Sequence, residues 1–87
     1  MSWVKPPQAA EWQRDFGLRL RAARIGKGMS QMDLALAADI DPTYISSVEQ
    51  GRRNVGLVNI NVLAATLGIS PRELFSPDAL TMAPSSV

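Results

Sequence analysis

The chain contains no cysteine and no histidine. The first absence excludes a disulfide framework and thiolate metal sites. The second removes the commonest general base and the commonest metal ligand. Long apolar runs are also missing: no stretch approaches the ~20 residues of a membrane-spanning helix, and the N-terminus lacks the apolar core of a secretion signal. There is no glycine-rich phosphate loop, metal-ligand cluster or nucleophile–base pair. These absences set the expectation of a cytoplasmic protein that is not an enzyme and carries no cofactor or metal.

What is there is 87 residues of 46% hydrophobic content, enough for one small core and too apolar for a disordered polymer. A domain of this size is marginally stable, so association with a second copy would help it. The net charge of +1 says little, but its distribution says more. Arg14, Arg19, Arg21, Arg24 and Lys27 fall in the first helical stretch, and Arg52-Arg53 follows Gly51. Asp33, Asp39, Asp41 and Glu49 interrupt these groups. A locally basic face attracts a polyanion even where the total charge is near zero.

Helical periodicity and caps divide the chain. Met1 to Pro7 carries two prolines and reads as an irregular, flexible arm. A first helix is expected from about Gln8 to Lys27, with Trp12, Phe16, Leu20 and Ala23 on its apolar face and Gly28 closing it. Ser30 and Asp33 have capping-box spacing and open a second helix, whose buried side is Leu34, Ala35 and Ala38. Asp39-Ile40 forms a turn. Asp41-Pro42 then starts a third helix, the aspartate accepting backbone bonds and the proline giving up no needed donor. That helix stops at Gly51. A fourth covers Leu57 to Leu67, and Ser70-Pro71-Arg72-Glu73 opens a short fifth through Phe75. Residues 76–87 read as a flexible tail, which leaves 8–75 as the folded domain.

Residues Ser30 to Gly51 thus form two short helices and a tight turn, the layout of a DNA-reading helix-turn-helix. At about 100° per residue, Ile45, Val48 and Glu49 of the third helix point one way, while Thr43, Ser47 and Gln50 point the other, flanked by Tyr44 and Ser46. Short hydroxyls, an amide and a phenol suit approach to base edges in a major groove. An ordinary solvated face is the competing interpretation. Glu49 is unusual because it lies on the core side, where a charge needs a partner. Arg24, late in the first helix, is the expected one, in a largely buried ion pair that locks the third helix onto the first.

With Arg24, Gly28-Met29-Ser30-Gln31, Leu34-Ala35, Ile40, Tyr44-Ile45-Ser46, Glu49, Gly51, Leu57, Ile60, Leu63-Ala64, Leu67-Gly68-Ile69-Ser70 and Leu74-Phe75, the chain resembles the lambda-repressor/Cro-like (XRE-type) helix-turn-helix family from about Phe16 to Phe75. The resemblance implies an all-α, compact five-helix domain and a homodimer that binds double-stranded DNA. Thr43-Tyr44-Ile45-Ser46 followed by Arg53-Asn54 is similar to the controller proteins of restriction–modification systems, although those often carry basic residues where this chain has Pro42 and Gln50. It further implies base reading by Thr43, Tyr44, Ser47 and Arg53. Backbone contacts then fall to Gln31, Ser46, Gln50, Arg52 and Asn54. Tyr44 has an alternative role, bracing the helix through its ring with its hydroxyl on a phosphate. Phosphate contacts set register and affinity, and base contacts set specificity.

Val58, Val62 and Ala65 form a second apolar stripe on the fourth helix, roughly opposite its expected core face of Leu57, Ile60, Leu63, Ala64 and Leu67. A two-fold dimer interface would cover it; the arm or tail folding over it is the alternative. Trp12 is expected in the core, and Trp3 in the arm. The expected function is therefore a sequence-specific transcriptional regulator acting as a homodimer on a near-palindromic operator, with RNA polymerase a further candidate partner. The rival is an antitoxin or protein-interaction module built on the same fold.

Overall fold

The computed structural model describes residues 5–75. Trp3, the first part of the expected arm and the whole expected tail lie outside the described residues. Four α-helices follow one another: α1 (Ala9–Gly26), α2 (Gln31–Ala38), α3 (Pro42–Glu49) and α4 (Leu57–Leu67). A single 3₁₀ turn, Pro71–Leu74, comes last.

The ends of these helices are set by local chemistry. Ser30 Oγ accepts from the Asp33 amide at 2.9 Å, and Asp33 Oδ2 accepts from the Ser30 amide at 2.9 Å, which completes the capping box of α2. Hydrogen bonding to Ser30, its backbone N–H first and its side chain second, holds the exposed Asp33 carboxyl below its ordinary pKa. Asp41 Oδ1 accepts from the Thr43 amide at 2.7 Å and Pro42 fills the first position of α3. Between α2 and α3, Asp39 takes the left-handed conformation at φ 56° and the Ile40 amide reaches back to the Ala35 carbonyl at 2.9 Å. Aspartate tolerates this conformation better than most residues, so the turn closes without glycine.

The last element differs from the expected fifth helix. Ser70 and Glu73 do form the capping box, but the segment closes through i to i−3 bonds, Glu73 to Ser70 at 2.9 Å and Phe75 to Arg72 at 3.0 Å. Four residues are too few to sustain a ladder of α-helical bonds, and short pieces commonly settle into the tighter 3₁₀ form. The turn still delivers Leu74 into the core, fully buried.

The core is Phe16, Leu20, Leu34, Ala35, Ile45, Val48, Leu63, Ala64, Leu67 and Leu74. Helix α1 packs on α3 and on the 3₁₀ turn, while α2 packs on both α3 and α4. Two residues assigned to this core lie outside it. Trp12 is 57% exposed, because it lines an open groove between the start of α1 and the Arg53–Val55 loop and does not reach the core. Leu57 is 75% exposed, because it is the first residue of α4 and the packed face begins one turn later, at half-buried Ile60. Ala23 and Ala38 are half-buried at the core's edge.

Helix α1 can approach α3 closely because of Gly17. A Cβ there would collide with the Val48 carbonyl oxygen and stand 2.9 Å from that of Glu49. Gly51, which ends α3 at φ +77°, faces the Arg14 backbone in the same crowded junction.

Candidate nucleic-acid interface

The buried side of α3 fixes how its other side is presented. Ile45 and Val48 are in the core, and Glu49 beside them meets Arg24 from α1. Arg24 Nε donates to Glu49 Oε2 at 2.6 Å and Nη2 to Oε1 at 2.9 Å. Arg24 Nη1 donates to the Met29 carbonyl at 2.8 Å, and Gln31 Nε2 donates to Glu49 Oε1 at 3.1 Å. The network therefore joins α1, the α1–α2 loop, α2 and α3. Hydrogen bonding to Glu49 raises the Arg24 pKa above its ordinary value against the opposing effect of burial, so the guanidinium is charged at every accessible pH.

On the opposite side, Thr43 and Gln50 are exposed, while Ser46 and Ser47 are half-buried. Gln50 Nε2 donates to Ser46 Oγ at 3.2 Å, which ties two of the expected contact residues into one polar ridge. Tyr44 is half-buried and does not project freely. Its hydroxyl oxygen accepts from Asn59 Nδ2 of α4 at 3.2 Å, and its ring lies under the Arg53 guanidinium, 5.2 Å from the centroid. Arg52, Arg53 and Asn54 are exposed in the loop that follows α3.

Gln31 has a double position. It is the first residue of α2, at the positive end of that helix, yet its amide is engaged with Glu49. Its second N–H stays available to an anion. Asp33 already occupies the Ser30 backbone N–H at that end, which leaves fewer donors for a phosphate.

On α4, Val58 and Ala65 are exposed, as the second apolar stripe requires, but Val62 is half-buried. Two residues that organise the site were not picked out from the sequence, Gly17 and Asn59. A lone glycine in mid-helix beside Phe16 was a usable signal for the first. Asn59 carried none, because an asparagine on the polar edge of a helix is unremarkable.

This surface presents donors and acceptors on a short helix with two arginines beside it. Among the described residues, no cluster of Asp and Glu has metal-binding geometry, and no helix is long and apolar enough to cross a membrane. Two short helices joined by the Asp39 turn, the second held from behind and polar in front, define a helix-turn-helix protein. The helix-turn-helix family profile matches residues 20–74, and the chain belongs to that family.

Its relatives narrow the class. The chain is 48% identical over 62 residues to the control protein C.MunI of a Mycoplasma species, covering 70% of this chain and 84% of that one. It is similar in structure to the restriction–modification controller protein C.AhdI of Aeromonas hydrophila, with TM-score 0.71 and 52% identity over 72% of this chain and 96% of that chain. The controller C.Esp1396I, solved as a tetramer with its natural 35-base-pair operator, matches with TM-score 0.68 and 30% identity over 74% of this chain and 84% of that chain.

Arg52→Ala is expected to weaken DNA binding and flatten its salt dependence. Each lost phosphate contact removes about 0.9 from the log–log slope, so a dimer would lose about 2. Binding isotherms across a salt series check this, and an unchanged slope would remove Arg52 from the backbone contacts.

Proposed function

We propose that this chain is a homodimeric, sequence-specific DNA-binding transcriptional regulator of the restriction–modification controller type, acting on a near-palindromic operator at its own promoter. The observation that carries this reading is the pairing of a polar outer face on α3 with exposed Arg52 and Arg53 immediately after it. Operator binding by C.Esp1396I, which has the same framework, supports it. Thr43, Tyr44, Ser47 and Arg53 approach base edges; Gln31, Ser46, Gln50, Arg52 and Asn54 grip the backbone. Val58, Val62 and Ala65 supply an apolar stripe of the kind a second copy covers. Two α3 helices related by a two-fold axis enter successive major grooves about 34 Å apart, so half-sites fall one helical turn apart. RNA polymerase becomes a second partner where the operator adjoins a promoter. A protein of this kind works in the cytoplasm.

Selection of binding sites from random duplex DNA, at two salt concentrations, tests the reading. The expected result is a palindrome with that half-site spacing. No enriched sequence from folded protein would overturn it and point to a protein partner.

A further inference from the structure

Tyr44 and Asn59 are each the third residue of their helix, α3 and α4, and are separated by the Gln50–Gly56 connection. A phenol oxygen has one proton to give and lone pairs that accept. Asn59 Nδ2 donates into that oxygen at 3.2 Å, so the hydroxyl proton is not used toward Asn59. It remains available to an acceptor on the other side. The same bond fixes the ring, and the ring carries the Arg53 guanidinium at 5.2 Å. Neither salt bridge among the described residues involves Arg53, so no carboxylate there competes for its position. A cation resting on an aromatic face is held by a modest attraction, while its N–H groups stay free in the plane of the guanidinium.

We propose that Asn59, by donating to the Tyr44 oxygen, acts as a positioning residue for DNA recognition. It turns the Tyr44 hydroxyl into an outward donor and steadies the ring on which Arg53 rests. This inference depends on α3 being the DNA-reading helix. It specifies the chemistry Tyr44 meets: an acceptor on a base edge, such as guanine O6 or N7, or thymine O4. The cytosine amino group, a donor, is the poorer match, because Asn59 already takes up part of the oxygen's acceptor capacity. Asn59 itself adds no phosphate contact.

The test is a double-mutant cycle with Tyr44→Phe and Asn59→Ala, using the selected operator and an unrelated duplex at fixed salt. Asn59→Ala is expected to weaken operator binding roughly three- to tenfold, the value of one lost hydrogen bond. Binding to the unrelated duplex, the salt slope and the thermal midpoint should stay close to those of the parent. Tyr44→Phe should give a loss of similar size, and Asn59→Ala should add nothing to it. A purely structural Asn59 would instead lower the thermal midpoint and both affinities together, which overturns the proposal. So does unchanged operator binding, or two losses that simply add. Where Asn59→Ala does not fold, Asn59→Ser replaces it, because its hydroxyl lies one bond closer to the backbone than the lost amide nitrogen. A parent protein that selects no operator overturns the DNA-binding reading itself. A parent that selects one, with an affinity indifferent to Asn59, overturns this inference alone.

Discussion

Gly17→Ala is expected to destabilise the domain by about 2 kcal/mol or more, although alanine is the better helix former. Two effects of opposite sign compete. Placing alanine at a helix interior position gains about 1 kcal/mol over glycine. Against this, the added methyl would collide with the Val48 carbonyl oxygen and press on that of Glu49. Overpacking typically costs about 1–3 kcal/mol when side chains can yield. Backbone oxygens at the end of α3 cannot rotate aside, so the whole helix must shift, and the cost belongs at or above the top of that range. Gly26, in the last turn of the same helix, has open space where its Cβ would go. Gly26→Ala is therefore the control and should be neutral or slightly stabilising. Urea unfolding of both variants decides the matter. Equal midpoints would mean that α1 and α3 are less tightly apposed than described. Because the shift moves α3, the Gly17 variant should also lose operator affinity beyond what its unfolded fraction explains.

The parts of this fold that were legible in the sequence are those governed by neighbours along the chain. Ser30 with Asp33, Asp41 with Pro42, and Ser70 with Glu73 act within one turn, so their spacing alone locates three helix starts. The charge at Glu49 was informative for a different reason. A carboxylate on an apolar face demands a cation, and few basic residues lie where they could reach it. What was not legible depended on where packed layers end. Periodicity assigns Trp12 and Leu57 to the correct sides of their helices. It does not reveal that the start of α1 borders an open groove, or that α4 begins before reaching the core. The expected fifth helix fails for a related reason: identical cap chemistry serves a 3₁₀ turn when only four residues follow it.

The interface shows the same division. That α3 presents hydroxyls and an amide followed from its residue pattern. The ties that limit those groups did not, because each crosses between elements or between turns. Gln31 is drawn to Glu49 across 18 residues, and Tyr44 to Asn59 across 15. Side chains that seem free on a helical wheel are thus partly committed before any DNA arrives. Such prior ordering lowers the entropy to be lost on binding.

The ion pair at the centre of the domain gives the second large effect, and a prediction whose sign can be reversed. Arg24→Ala is expected to cost about 3–5 kcal/mol, a large share of the stability of a domain this small. The loss comes less from the missing attraction than from what remains. Glu49, with its side chain only 3% exposed, would keep its charge facing the core without a cation, and the Met29 carbonyl would lose its donor. Arg24→Lys should recover only part, because one ammonium cannot reproduce two parallel bonds to the carboxylate while also reaching Met29. Replacing both partners by apolar residues, Arg24→Met with Glu49→Leu, removes the charges and the need to satisfy them together. Such exchanges are often neutral or stabilising. The double variant is therefore expected to unfold at a urea concentration near that of the parent, well above Arg24→Ala. It should nonetheless bind operator more weakly, because Gln31 loses the Glu49 acceptor that holds its amide at the start of α2. A double variant as unstable as Arg24→Ala would show that the pair itself, and not the avoidance of an orphaned charge, holds α3 on α1.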